Sequence, residues 1–177
     1  MTVAAPARSK LAPTVVQGVA VAGGAGVFLL AVAGIANAWL ARTPMPEAFR
    51  SAAVVAHLST VLLALPLGVS QLVLPKGTFR HRTVGWIWVV LMTLTALVSF
   101  AIHGINPHGL SWIHIFSVIT LIGTPQIVFY ARTGRVEAHR GAVLGLMLGG
   151  LVIAGVFTFV PGRALGQLVF RLFGHGG

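Results

Sequence analysis

The chain alternates between long apolar runs and short polar segments. A helix needs about 20 apolar residues to cross the hydrocarbon core of a bilayer. Five runs reach that length, at residues 14–41, 50–74, 84–104, 110–131 and 141–162. Lipid cannot hydrogen-bond to a polypeptide backbone, so each run must satisfy its own backbone groups, as a helix does. The pattern predicts an all-α fold, with residues 1–177 forming a single membrane domain, an integral bundle of five transmembrane helices.

The first apolar run and the segment after the last run carry two further signals. Ala36-Asn37-Ala38 resembles a signal-peptide cleavage site, but the run before it is about twice as long as the apolar region of about 7–15 residues in a signal peptide. We therefore expect an uncleaved first helix. Residues 164–173 carry apolar side chains at helical spacing, which predicts a short amphipathic helix along the outer surface.

Basic residues are concentrated in the segments on one side of the predicted helices. If the N-terminus is inside, the inner segments carry Arg8, Lys10, Lys76, Arg80, Arg82, Arg132, Arg135 and Arg140. The positive-inside rule then places the N-terminus in the cytoplasm. The formal net charge of +10 is explained by basic loops that face anionic lipid headgroups. It does not imply a nucleic-acid partner. We expect a multi-pass protein of the bacterial inner membrane, with the lipid bilayer as its surroundings.

Four histidines fall into two matching units. The first unit has His57 at the start of H-x-x-[ST]-V, then Gln71, then His81-Arg82. The second unit repeats this order with His114, Gln126 and His139-Arg140, at nearly the same spacing. This internal repeat predicts one N-terminal helix followed by two copies of a helix pair.

The repeat places its histidines at two depths. His57 and His114 lie inside helices entered from the outer side, whereas His81 and His139 precede helices on the inner side. Ionisable residues inside a membrane are functional candidates by default. Facing helices that each contribute one imidazole are the arrangement that holds a b-type haem through its two axial positions. The pattern therefore predicts haem b, with these four histidines as iron ligands.

Arginines next to the inner histidines fit the same hypothesis. Arg82 and Arg140 are expected to pair with haem propionates at the inner surface. Two haems at these depths would carry electrons across the membrane, entering or leaving near His103 and the outer loop. The protein would then be a membrane oxidoreductase, with a quinone or another redox molecule as its partner.

Other interpretations of the same residues stay open. Each histidine also suits a structural role, hydrogen-bonded to a helix carbonyl or a hydroxyl. A small-solute carrier or channel is a second possibility, because Pro66 and Pro125 lie within spans and could break helices there. A third is a non-catalytic subunit or assembly factor of a larger membrane complex, or a homo-oligomer.

The small number of acidic residues narrows the function classes. Glu47 and Glu137 are the two carboxylates of the chain, and both lie in predicted loops. Proton coupling of this kind requires a carboxylate inside a membrane span, and a di-iron centre requires several carboxylate ligands. The sequence supplies neither. The absence of cysteine excludes disulfides, iron–sulfur clusters and thioether-linked haem.

At these residues the chain resembles a family of bacterial multi-pass membrane proteins defined as a domain of unknown function. The resemblance rests on His57, the segment 71–85, His114, and the ending from His139-Arg140 through Arg163. It is more distantly similar to the two-haem transmembrane b-type cytochromes. That family takes one histidine from each of four successive helices, which implies that His57 pairs with His114 and His81 with His139.

Overall fold

The computed structural model describes residues 12–102 and 111–174. Within these ranges there are five helices long and apolar enough to span a membrane, and no strand. The five helices are α1 (Ala12–Leu40), α2 (Ala52–Val73), α3 (Phe79–Ser99), α4 (His114–Arg132) and α5 (Val136–Phe157). A 3-10 turn over Glu47–Arg50 and a short helix α6 (Ala164–Leu172) complete the described chain. The predicted all-α bundle of five transmembrane helices is confirmed, and the protein is a multi-pass membrane protein.

Two helices begin earlier than the hydrophobic pattern predicted. α3 begins at Phe79 rather than 84, and α5 begins at Val136 rather than 141. The Thr78 side chain caps α3 by accepting a hydrogen bond from the backbone N–H of His81 at 3.1 Å. Charged residues at these positions suggested a loop, but long basic side chains at a helix end can extend into the aqueous interface. His81 and His139 therefore lie in the first turns of their helices, not before them.

Consecutive transmembrane helices pack on each other, and α5 returns to α1 to close the bundle. A central core of buried apolar side chains lies between them, and many large apolar side chains on the outside are exposed, as a lipid-facing surface requires. The inner end of the bundle is the end at which α1, α3 and α5 begin. The outer end is where α2 and α4 begin.

Close approach of α1 to α5 depends on small residues. A Cβ added at Gly23 would lie 2.7 Å from a methyl carbon of Val152, and one added at Gly155 would lie 2.7 Å from Val27. Small residues at helix interfaces let backbones approach closely in membranes, where packing replaces the hydrophobic drive. These two glycines therefore act in helix packing.

The middle of α5 is a π-helix over Met147–Ile153. Its side chains Met147 and Leu151 are fully buried in the core. A Cβ at Gly150 would lie 3.1 Å from the Thr120 hydroxyl of α4, so the π segment brings this part of α5 close to its neighbour. Such segments are rare and frequently occur at functional sites.

The short helix α6 forms where the sequence predicted one, but its apolar face is not left to the lipid interface. Leu165 and Leu168 are buried against Ala31 and Ala38 of α1. Gly34 of α1 admits this contact, since a Cβ there would lie 3.1 Å from Val169. The apolar stripe of α6 therefore packs against protein.

Candidate functional site

The inner histidines face each other. His81 of α3 and His139 of α5 have ring centroids 6.5 Å apart and ring planes at 79°. Both side chains are partly buried. Two helices that are not consecutive thus bring one imidazole each to the same point at the inner end.

Hydrogen bonds fix how each inner imidazole presents its nitrogens. The Nδ1 of His139 lies 3.0 Å from the carbonyl oxygen of Ile127. A carbonyl oxygen can only accept, so Nδ1 carries the proton and Nε2 keeps its lone pair. With the Gln71 amide in its better-satisfied orientation, its nitrogen donates to Nδ1 of His81 at 2.9 Å, and neutral His81 then holds its proton on Nε2.

Cationic side chains lie beside this pair. The Lys76 ammonium donates to the carbonyls of Gln71 and Leu72, at 2.6 and 2.8 Å, and so caps the end of α2. Gln17 of α1 also donates to the Leu72 carbonyl, and Arg140 donates to the Gln17 side chain at 3.0 Å. Partial burial and the nearby charge of Arg140 lower the pKa of Lys76 from its ordinary value.

The outer histidines both rest against α3. The Nδ1 of His57 lies 3.1 Å from the carbonyl oxygen of Thr95, so it donates there and its Nε2 lone pair remains available. The Nε2 of His114 lies 3.1 Å from the carbonyl oxygen of Ser99, the last residue of α3. Because these carbonyls are four residues apart, the two imidazoles lie about one helical turn apart along α3.

His114 has a structural role that uses both of its nitrogens. The backbone N–H of Ser111 donates to its Nδ1 at 3.0 Å, while its Nε2 donates to a terminal carbonyl of α3. The ring is 5% exposed and stacks on Phe100 with centroids 5.5 Å apart. His114 therefore gives a second hydrogen bond to a carbonyl at the end of α3 that already accepts one from the backbone N–H of Ile102.

A cavity of about 360 Å³ lies between the outer halves of the helices, with His57 and His114 in its wall. Its volume falls within the range of about 300–1,000 Å³ typical of small-molecule sites. Most of the wall is apolar, with hydroxyl side chains among the lining: Thr95, Ser99, Ser111, Ser117, Thr120 and Thr158. The guanidinium-bearing residue Arg163 also lines it.

Hydroxyl pairs join α3 to both of its neighbours. Thr95 donates to Thr60 of α2 at 2.7 Å, and the Ser99 hydroxyl bonds to that of Ser117 on α4. Interhelical hydrogen bonds of this kind are worth about 0.6 kcal/mol on average in membrane proteins. These bonds hold α3 against α2 and α4, the helices that carry His57 and His114.

A mostly apolar layer separates the inner and outer groups, and within it the Thr93 hydroxyl donates to that of Thr124 at 3.2 Å. Leu65, Trp88, Met92 and Met147 fill it, and each is at most 1% exposed. Along α3, His81, Trp88 and Thr95 follow one another at seven-residue steps, so they share a face with about 10 Å of rise between each. Among the described residues, the Trp88 indole N–H is the buried side-chain donor left without a hydrogen-bond partner.

Several residues marked by the repeat are not equivalent in the fold. Gln71 is buried against His81, whereas Gln126 is exposed. Arg140 bonds to Gln17, whereas Arg82 is exposed. His103 lies outside the described residues, as does the outer loop in which electron entry was predicted.

Glycines in the helices that carry the four histidines mostly contact neighbouring side chains or lie at the surface. A Cβ at Gly68 would meet Trp88 and Met147, and one at Gly123 would meet Leu146. Open space surrounds Gly141 and Gly145, but both are exposed. The glycine pattern therefore reflects helix packing more than space for a cofactor.

Sequence reasoning missed the inner network of Gln17 and Lys76. Lys76 was counted as a loop charge, and Gln17 was the single polar residue in an otherwise apolar stretch of the first span. That isolation was the available signal, since an amide inside a membrane span needs a partner.

No group of three or more histidine, cysteine or acidic side chains gathers in the described ranges. Comparison of the chain with protein-family models, curated proteins and solved structures finds no match.

Proposed function

We propose that this protein binds b-type haem between paired histidines and transfers electrons within the bacterial inner membrane. The observation that carries the proposal is the distance of 6.5 Å between the ring centroids of His81 and His139. A bound haem would supply one-electron chemistry, exchanged with a quinol or another redox partner. His81 and His139 would hold its iron at the inner end.

The spacing of the inner pair supports axial ligation. Metal–imidazole nitrogen distances are about 2 Å, so two axial Nε2 atoms lie about 4 Å apart, and their ring centroids about 6 Å apart. The observed separation of 6.5 Å is close to this value.

Proton positions on the imidazoles support the inner pair more than the outer one. Ligating histidines usually donate their second N–H to a carbonyl, which fixes the ring and leaves a nitrogen for the metal. His139 and His57 already do so. His81 needs its proton moved from Nε2 to Nδ1 and the Gln71 amide reversed to accept it. His114 would have to release the end of α3.

The apolar layer favours electron transfer over solute transport. A hydrated ion or polar solute needs polar partners along its whole path, and the side chains of Leu65, Trp88, Met92 and Met147 offer almost none. Electrons cross such a layer by tunnelling, without a pore. Trp88 lies on the same face of α3 as His81, between the two histidine levels.

The proposal is tested by measuring haem retention in histidine variants purified from haem-supplied cells. We expect His139→Ala to lose the inner haem, because one of its two axial bonds is removed. His108→Ala removes a histidine assigned to neither layer and serves as the matched control. Circular dichroism confirms that each variant is folded. A folded His139→Ala protein with the haem content and spectrum of the wild type would contradict the proposal.

A further inference from the structure

We propose that Lys76 and Arg140 form a binding site for the phosphate group of an anionic phospholipid at the inner end of the bundle. The site does not depend on haem. Lys76 follows α2 and Arg140 lies in the first turns of α5. Gln17 links them, since it donates to the Leu72 carbonyl that Lys76 also contacts and accepts from Arg140.

Both cations keep hydrogen-bond donors that the protein does not use. An ammonium has three N–H donors and a guanidinium has five. Lys76 directs its donors to two carbonyl oxygens, and Arg140 donates one hydrogen bond to Gln17, counting the partners within the described ranges. The remaining donors suit a phosphate, whose oxygens accept several charge-assisted hydrogen bonds at once.

Neither carboxylate of the chain forms an ion pair with these two cations within the described ranges. The chain has two acidic residues, and Glu47 pairs with Arg50 at the opposite end. Glu137 is exposed and lies in no ion pair within the ranges described. Arg140 is close enough to Lys76 to lower the pKa of its amine, as like charges do. Two adjacent cations without a counter-charge attract an anion.

The surroundings favour a lipid over free phosphate. Val73, Phe79 and Val136 are large apolar side chains at the same end of the bundle, exposed by 67%, 77% and 69%. They lie on the elements that carry or flank the two cations. An amphiphile can place its phosphate on Lys76 and Arg140 while its acyl chains cover these apolar surfaces. Basic sites between transmembrane helices on the cytoplasmic side bind anionic headgroups in this way.

The test titrates the detergent-purified protein with phosphatidylglycerol and counts bound lipids by native mass spectrometry. We expect Lys76→Gln and Arg140→Gln each to weaken the apparent affinity about five-fold, since each basic residue near an anionic lipid contributes about that factor. Lys76→Arg keeps the positive charge, so this variant should bind the lipid about as tightly as the wild type. Arg132→Gln is the control, because Arg132 lies at the same end but over the Trp86 ring.

Each alternative has its own result. An equal loss in Arg132→Gln would mean diffuse electrostatic attraction and would overturn the site. Equal binding of zwitterionic phosphatidylcholine would mean that the net negative charge of the lipid is not recognised and would also overturn it. Displacement of the lipid by millimolar inorganic phosphate would assign it to a free anion. A loss of haem with unchanged lipid binding would assign the two cations to haem propionates instead.

Discussion

Replacement of Gly68 by alanine should destabilise the bundle at the layer between the two histidine levels. The added Cβ would lie 2.7 Å from the indole nitrogen of Trp88 and 2.8 Å from the sulfur of Met147. Both distances are shorter than real carbon contacts, so a neighbour must move. Met147 has a flexible thioether, but the Trp88 ring is rigid and 1% exposed.

Two opposing terms set the size of the effect. Overpacking a well-filled core costs about 1–3 kcal/mol. Alanine in place of glycine within a helix returns about 1 kcal/mol through lower backbone entropy in the unfolded chain. Because the indole cannot rotate away cheaply, we expect a net loss of about 1–2 kcal/mol in the free energy of unfolding.

The matched control is Gly26→Ala in α1, where nothing lies within 4 Å of the added Cβ. This variant should gain about 0.5–1 kcal/mol from helix propensity alone. Reversible unfolding in mixed detergent–dodecyl sulfate micelles, followed by far-ultraviolet circular dichroism, measures both. If Gly68→Ala is as stable as Gly26→Ala, the close packing of Trp88 and Met147 around Gly68 is refuted.

Two further predictions concern helix contacts. A double-mutant cycle of Thr60→Val and Thr95→Val should give a coupling free energy of about 0.6 kcal/mol in the same unfolding assay, because their hydroxyls bond across α2 and α3; additive effects would show that the bond contributes nothing. Gly166→Ala should loosen α6, since its Cβ would lie 2.5 Å from the Val160 carbonyl oxygen. Hydrogen exchange in the α6 backbone should rise, with the exposed Gln167→Ala as control, and unchanged protection would contradict the close contact of α6 with the segment that precedes it.

Hydrophobicity alone located all five membrane helices, because the bilayer imposes a length and an apolar composition that few other structures share. It failed at the starts of α3 and α5. There Arg80, Arg82, Glu137 and Arg140 resembled loop residues, although a helix can continue through charged residues at the interface. Thr78, the N-cap of α3, was a local signal for the true start of this helix, but the apolar pattern was given more weight.

The histidine spacing grouped the four residues into two layers but could not rank them, and their role as haem ligands stays a prediction. His81 and His139 were assigned to one layer, and the structure brings them face to face. His57 and His114 were assigned to a common outer layer because both lie within the apolar runs. Whether a buried imidazole is available depends on its hydrogen bonds, and the use of both His114 nitrogens by Ser111 and Ser99 arises from tertiary contacts that spacing does not encode.

The visible absorption spectrum of the purified protein, oxidised and then reduced with dithionite, tests the central claim most directly. Haem held between two imidazoles predicts an intense Soret band and sharp α and β bands on reduction. The haem-to-protein ratio then tells whether one histidine pair or both pairs are occupied. A protein that is colourless as purified from haem-supplied cells, and stays so after titration with haem, would contradict the account.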